Sequence, residues 1–303
     1  MKPNIYQRKV VSIILAIFCA VAWAMAFPLI KIGFASLEIT SAAGKSLFAG
    51  IRFFFAGILT IIIGLCTKKS FKINTLSDLG ILLFFGLINT GLHYFFFYMG
   101  LSHLSGGRSA IIDSLSTFLL ILLSSMIFAD DKLSFRKIIG CILGLSGIII
   151  INFNGSVFFS GISFAGDGML IMSAVCSAFG GILTRVATKN IDIIPATGIS
   201  LSFGGLLLII FGLISGGRIT HWTFSGTVAL ILLILISSLS FTIYNNLICY
   251  NPVSKIAIFN SLIPILGVIF SCIILGEAFS VKYIIAGIIV AVGIYTVNKP
   301  SNK

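Results

Sequence analysis

Read for apolar and polar positions alone, the chain is a series of long apolar runs broken by short polar gaps. The runs occupy about residues 11–31, 45–66, 79–100, 108–128, 137–152, 167–187, 197–216, 226–249, 256–275 and 282–298. A helix needs roughly 20 apolar residues to cross the hydrocarbon core. The pattern therefore predicts ten membrane-crossing helices and an all-α integral membrane protein. The fifth and tenth runs are short, so their helices must tilt little or cross where the bilayer is thin. After Arg218 the segment "ITHWTFSG" belongs at the interface, with Trp222 as its anchor.

Composition agrees with this class. The chain is 58% hydrophobic and only 9% charged, with 31 Gly and 28 Phe, whereas soluble domains carry about 25% charged residues. A net charge of +12 would fit nucleic acid if the basic residues formed a face. Instead they sit in the gaps between apolar runs, where they set topology against the membrane. With the N-terminus inside, 14 of the 20 basic residues fall on the inner side and 6 on the outer: Lys31, Lys45, Arg52, Arg108, Arg218 and Lys282. That bias predicts a multi-pass cell-membrane protein with both termini cytoplasmic. The first run spans 21 uncharged residues, 10–30, too long for a signal-peptide core, and reads as the first helix. The six Cys lie in or at the ends of apolar runs, without zinc-site spacing. They read as small packing side chains; no disulfide and no metal site is expected.

The chain also repeats itself. "CAVAWAMAFPLIKIG" (19–33) aligns with "SAVCSAFGGILTRVA" (173–187), bringing Lys31 onto Arg185. "LSHLSGGRSAIIDSLSTFL" (101–119) aligns with "ICYNPVSKIAIFNSLIPIL" (248–266) at an offset of 147, bringing Arg108 onto Lys255 and Asp113 onto Asn260. After one deleted residue Asp131 meets Glu277 and Asn152 meets Asn298. The reading is two units of five helices, 11–152 and 166–298. An odd number of helices per unit makes them inverted repeats, with a site expected between them near the midplane.

Three stretches carry a resemblance to a known family: "WAMAFPLIK" in the first run, "AIFNSLIPILGVIFSCIILGE" from Ala257 to Glu277, and "AGIIVAVGIYTVN" in the last. The chain resembles the EamA-type branch of the drug/metabolite transporter superfamily over both halves. Pro264 with the Leu275-Gly276-Glu277 triplet is the most specific part; the first half departs from it, with Thr117 for the proline and "FADD" for the triplet. The resemblance implies ten helices, cytoplasmic termini and passage of small metabolites of diverse kinds. It leans toward efflux.

Polar groups inside apolar runs are costly and are functional candidates by default. Asp113 lies about 7–8 Å into the fourth run, at 1.5 Å per residue, and His93 about as deep in the third. Asp113 has three readings: a partner of His93 that holds a cation or carries a proton, a partner of Arg108, or an interfacial carboxylate wetted from outside. His93 alone fits a hydrogen-bonded packing role equally well. Asn89 lies one turn before His93, and Tyr94 and Tyr98 form a similar pair. Tyr244, Asn245 and Asn246 interrupt the eighth run, and Asn260 the ninth. Trp23, with Phe27 one turn on, reads as an aromatic wall, and Pro28 as a bend. The candidate substrate-binding set is Trp23, Asn89, His93, Tyr94, Asp113, Tyr244, Asn245 and Asn260. Gly140, Gly144 and Gly147, and Gly287 with Ala291, read as close helix packing. Asp131 and Glu277 read as helix-end positions rather than transport acids.

No phosphate-binding glycine loop and no paired-acid or His-rich motif is present, so neither a cofactor nor an enzyme activity is expected. The expected function is secondary transport of a small organic metabolite, an amino acid or similar, by alternating access, with a proton as candidate coupling ion. The lipid bilayer is the obligate partner, and a homodimer is compatible with the sequence. A lipid-carrier flippase, using Arg52 or Arg108 for the headgroup, is the rival; a membrane-embedded enzyme is the third reading.

Overall fold

The computed structural model describes residues 4–101, 103, 106–152, 163–276 and 279–299. Among them every regular element is helical. We number the long helices α1 (Lys9–Ser36), α2 (Ala42–Cys66), α3 (Leu76–Leu101), α4 (Gly106–Ile127), α5 (Phe135–Asn152), α6 (Phe164–Ala187), α7 (Ile193–Ile214), α8 (Phe224–Tyr250), α9 (Val253–Leu275) and α10 (Val281–Asn298). Eight of them, all but α4 and α5, are long and apolar enough among the described residues to cross a membrane. Large apolar side chains such as Ile14, Phe55, Ile62, Ile210 and Ile288 stay exposed along them. That suits a lipid-facing surface, where a water-facing one would carry polar groups. The chain is a multi-pass membrane protein.

Local chemistry starts several helices where the polar gaps predict. Ser41 accepts from the Gly44 amide at 3.0 Å, and Thr223 from Gly226 at 3.2 Å. Thr75 and Asp78 form a reciprocal capping box. α1 runs unbroken through Pro28. Two helices do change pitch inside: α3 widens to a π-turn at Leu87–Leu92, and α9 tightens to a 3₁₀ turn at Ile258–Ser261.

α2 packs extensively on α7, and α5 on α10; α1 packs on α8 and α9, and α6 on α3 and α4. The α2–α7 seam brings backbone onto backbone. Gly50, Gly57 and Gly64 on α2 and Gly198, Gly205 and Gly212 on α7 recur every seven residues, two turns apart. A Cβ on Gly57 would fall 2.4 Å from the Ser202 amide nitrogen, and one on Gly205 2.3 Å from that of Phe54. In lipid such close approach replaces the hydrophobic drive that joins helices in water. α5 and α10 meet in the same way through Gly140, Gly147, Ala286 and Gly293: a Cβ on Gly140 would fall 2.8 Å from the Gly293 carbonyl oxygen. Gly144 faces Phe118 and Ser261 instead. The expected pair Gly287 and Ala291 is not at this contact, because Gly287 has only Ile265 nearby, at 3.9 Å, and Ala291 is exposed.

Asp131, between α4 and α5, is buried and binds to α9. Lys137 Nζ lies 2.7 Å from its Oδ1; Ser124 Oγ and the Ser254 amide each donate to it at 2.8 Å, and the Ser254 hydroxyl donates too. It is a structural anchor at a helix end. Its expected counterpart, Glu277, lies outside the described residues. The six cysteines are free.

Candidate functional site

The polar candidates separate into a central group and a set held elsewhere. Phe241 and Tyr244 are one turn apart on α8 and both meet Trp23 of α1, with ring centroids at 5.3 and 5.0 Å in edge-on geometry. Asn260, in the 3₁₀ turn of α9, donates through Nδ2 to the Tyr244 hydroxyl at 2.8 Å. The tightened turn places this side chain on the α8 face. Phe241 continues to Phe53 on α2 at 6.2 Å, and Phe53 to Tyr94 on α3 at 4.1 Å. Tyr94 stacks on His93 at 4.3 Å. One aromatic wall thus joins α1, α8, α2 and α3, with Trp23 and Tyr244 at one end and Tyr94 and His93 at the other.

His93 closes the π-turn of α3. Its Nδ1 lies 3.2 Å from the Asn89 carbonyl oxygen; a carbonyl only accepts, so Nδ1 carries the proton there. Asp113 forms no ion pair with His93 among the described residues, and its Oδ1 is buried without a partner. The Arg108 side chain lies outside the described residues. Asn89 points elsewhere: a Cβ on Gly180 of α6 would fall 2.2 Å from its Oδ1. Asn245 donates to Thr197 Oγ1 on α7 at 2.9 Å, and Asn246 back to the Thr242 carbonyl at 2.7 Å. Of the eight candidates, the structure therefore assembles Trp23, Tyr244 and Asn260, then Tyr94 and His93, while Asp113 forms no ion pair with this group among the described residues. Asn89 and Asn245 are turned to other helices.

Arg52 is the residue that sequence reasoning misplaced. Counted among the outer basic residues, it is instead 4% exposed within α2. Its Nε donates to Ser237 Oγ of α8 at 2.8 Å, and its guanidinium lies 4.9 Å from the Phe53 ring centroid. The signal was there: Arg52 stands in "FAGIRFFFAG" with no polar gap on either side.

A cavity of about 430 Å³ lies apart from this wall, at the C-terminal ends of α4, α6 and α8, lined by Ile127, Phe128, Arg185, Lys189, Ile193 and Tyr250 among others. Arg185 grips Asp130 with both terminal nitrogens, at 3.0 and 3.1 Å, and lies 4.4 Å from the Phe128 ring centroid. Those two hydrogen bonds hold the Asp130 carboxyl below the usual carboxylate range. Among the described residues no cluster of His, Cys, Asp or Glu suits a metal ion.

The chain is similar over nearly all its length to proteins named as transporters. It is 26% identical to the uncharacterized transporter YvbV of Bacillus subtilis, over 97% of this chain and 93% of that one. It is 24% identical to a WAT1-related chloroplastic protein of Arabidopsis thaliana, over 88% and 66%. A S-adenosylmethionine/S-adenosylhomocysteine transporter of Chlamydia trachomatis is 25% identical, over 93% and 86%. A solved structure, titled only as the crystal structure of a protein, has the same fold, with a TM-score of 0.75 at 15% identity, covering 93% of this chain and 96% of that one. Residues 10–153 and 164–299 each match the EamA-like transporter family, and the chain belongs to that family.

Proposed function

We propose that the protein is a secondary transporter that moves a small organic metabolite, an amino acid or similar, across the cytoplasmic membrane by alternating access, in the export direction. Its membership of a transporter family points to transport rather than catalysis. The observation that carries the finer reading is the aromatic wall, because it is built across the two halves: Trp23, Phe53 and Tyr94 from one, Phe241, Tyr244 and Asn260 from the other. A site so divided changes its exposure whenever the halves rock against each other.

Inverted repetition with ten spans, α4 and α5 supplying two of them, is supported on three counts. The family matches twice in succession. Exchanging α1–α5 for α6–α10 maps the main helix contacts onto one another: α1 with α8 and α9 becomes α6 with α3 and α4, while α2–α7 and α5–α10 map onto themselves. The seam glycines obey the same exchange, since Gly50, Gly57 and Gly64 precede Gly198, Gly205 and Gly212 by 148 residues each. With Arg52 taken out of the outer set, the basic residues divide 14 to 5, in favour of cytoplasmic termini. The exposed Cys66 tests that orientation: with the other cysteines replaced, an impermeant maleimide should label it in inside-out vesicles and not in intact cells.

An amino acid-like substrate is supported by the relative named for S-adenosylmethionine, which carries an amino acid head and a planar base. Asp113, with a buried oxygen lacking a partner, is the candidate proton-coupling group. Proteoliposomes preloaded with amino acids should accumulate the labelled compounds by counterflow, and Asp113→Asn should fold normally while flattening the pH dependence. Stimulation by lipid-linked sugar with no amino acid counterflow would replace this reading with the flippase.

A further inference from the structure

The cavity of about 430 Å³ and the aromatic wall share one helix, α8. Cys249 and Tyr250 line the cavity, and Tyr244 carries the wall. At 1.5 Å per residue, Tyr244 and Cys249 stand about 7–8 Å apart along the axis. Leu247 and Ile248 fall between them in depth, and both are fully buried. The other two helices that end at the cavity repeat this arrangement. Ile182 of α6 stands just under a turn before Arg185, and Ile121 of α4 two turns before Phe128; both are buried. Ile121, Ile182, Leu247 and Ile248 belong to one apolar cluster, which also contains Tyr244 and against which Trp23 packs. At the cavity itself Thr188 Oγ1 of α6 and Cys249 Sγ of α8 lie 3.0 Å apart. A space with Arg185 and the exposed Lys189 in its wall thus ends against a dry aliphatic layer. Beyond that layer begin the bonded Tyr244 and Asn260.

We infer that the cavity is an antechamber at one end of the solute path, and that Ile121, Ile182, Leu247 and Ile248 form an apolar gate that closes it from the aromatic wall. An apolar constriction excludes water and polar solutes without any bond that must break on opening. Close packing makes the closure complete, and truncating one of its members leaves a gap the neighbours fill only in part. The gate rests on the transport reading for its purpose, but its geometry is tested by thiol accessibility alone. The chain carries a reporter on each side. Cys249 lines the antechamber. Cys19 of α1 is fully buried at a deeper level, its Sγ donating to the carbonyl of Ser240, one turn beyond Tyr244 on α8, at 3.6 Å.

The test is the rate of N-ethylmaleimide alkylation of the purified full chain in detergent, in proteins that keep Cys249 or Cys19 and have the other five cysteines replaced by Ala. Cys249 should react readily and Cys19 at least tenfold more slowly. Leu247→Ala should speed Cys19 at least fivefold and leave Cys249 within twofold, while Leu247→Met should keep Cys19 slow. Leu233→Ala makes the same truncation on the same helix in a separate apolar cluster. It should leave Cys19 slow, which separates a gate from general loosening. An inert Cys249, a Cys19 as fast as Cys249, no acceleration by Leu247→Ala, or equal acceleration by Leu233→Ala overturns the inference. Solute counterflow would then leave the transport reading standing; the expected labelling with no counterflow of any solute would overturn that reading and not the apolar closure.

Discussion

Replacing Gly57 by Ala adds one methyl group where α2 meets α7. The new Cβ would stand 2.4 Å from the Ser202 amide nitrogen and 2.6 Å from the Gly198 carbonyl oxygen. Both are backbone atoms, so no rotamer change relieves the clash. The helices must part by about 1 Å to restore ordinary contact, and a gap of that size forfeits a quarter to a half of the dispersion well along the seam. Overpacking of this kind costs about 1–3 kcal/mol. The rigid backbone on both sides places Gly57→Ala at the upper end. Ala is the better helix former by about 1 kcal/mol, which leaves a net loss of about 2 kcal/mol. Gly80→Ala on α3 is the matched control, because nothing lies within 4 Å of its Cβ position; only the propensity gain of up to about 1 kcal/mol applies there. Thermal unfolding in detergent should show Gly57→Ala melting several degrees below wild type and Gly80→Ala at or above it. A Gly57→Ala protein as stable as wild type, or a Gly80→Ala protein equally weakened, would refute the backbone-contact argument.

Three further outcomes follow from the geometry. Asp131→Asn breaks the buried pair with Lys137 and should cost about 3–5 kcal/mol in unfolding experiments, while Asp131→Asn with Lys137→Met should recover part of it; no recovery would mean that the bonds to Ser254 and Ser124 dominate. Tyr244→Phe leaves the Asn260 amide without its acceptor and should cost about 1 kcal/mol in stability, with weaker substrate counterflow; unchanged counterflow would remove this end of the wall from the site. Asp130 is held below its ordinary value by Arg185, so its contribution is complete above about pH 4, the unfolded carboxyl value, and is lost as pH falls through the lower folded value. The melting difference between wild type and Asp130→Asn should therefore shrink on acidification below about pH 4, and a difference constant from pH 7 to pH 3 would contradict the pairing.

Hydropathy along the chain determined the class, the places where helices run, and the resemblance between the halves. Those follow from the length needed to cross lipid and from the demand that backbone groups be satisfied within each span. The spacing of Gly50, Gly57, Gly64, Gly198, Gly205 and Gly212 was equally legible, though it takes the contact between α2 and α7 to show its use. Arg52 was legible as well, once a charge inside an apolar run is weighed as buried rather than assigned to a loop. Which polar side chains meet was not legible. In a helix that is apolar on every face, periodicity does not say how the helix is rotated about its axis. The π-turn at Leu87–Leu92 and the 3₁₀ turn at Ile258–Ser261 then alter that rotation locally. So it was the tertiary packing that turned Asn245 to Thr197 and Asn260 to Tyr244, tied His93 to its own backbone, and buried Arg52 against Ser237 and Phe53.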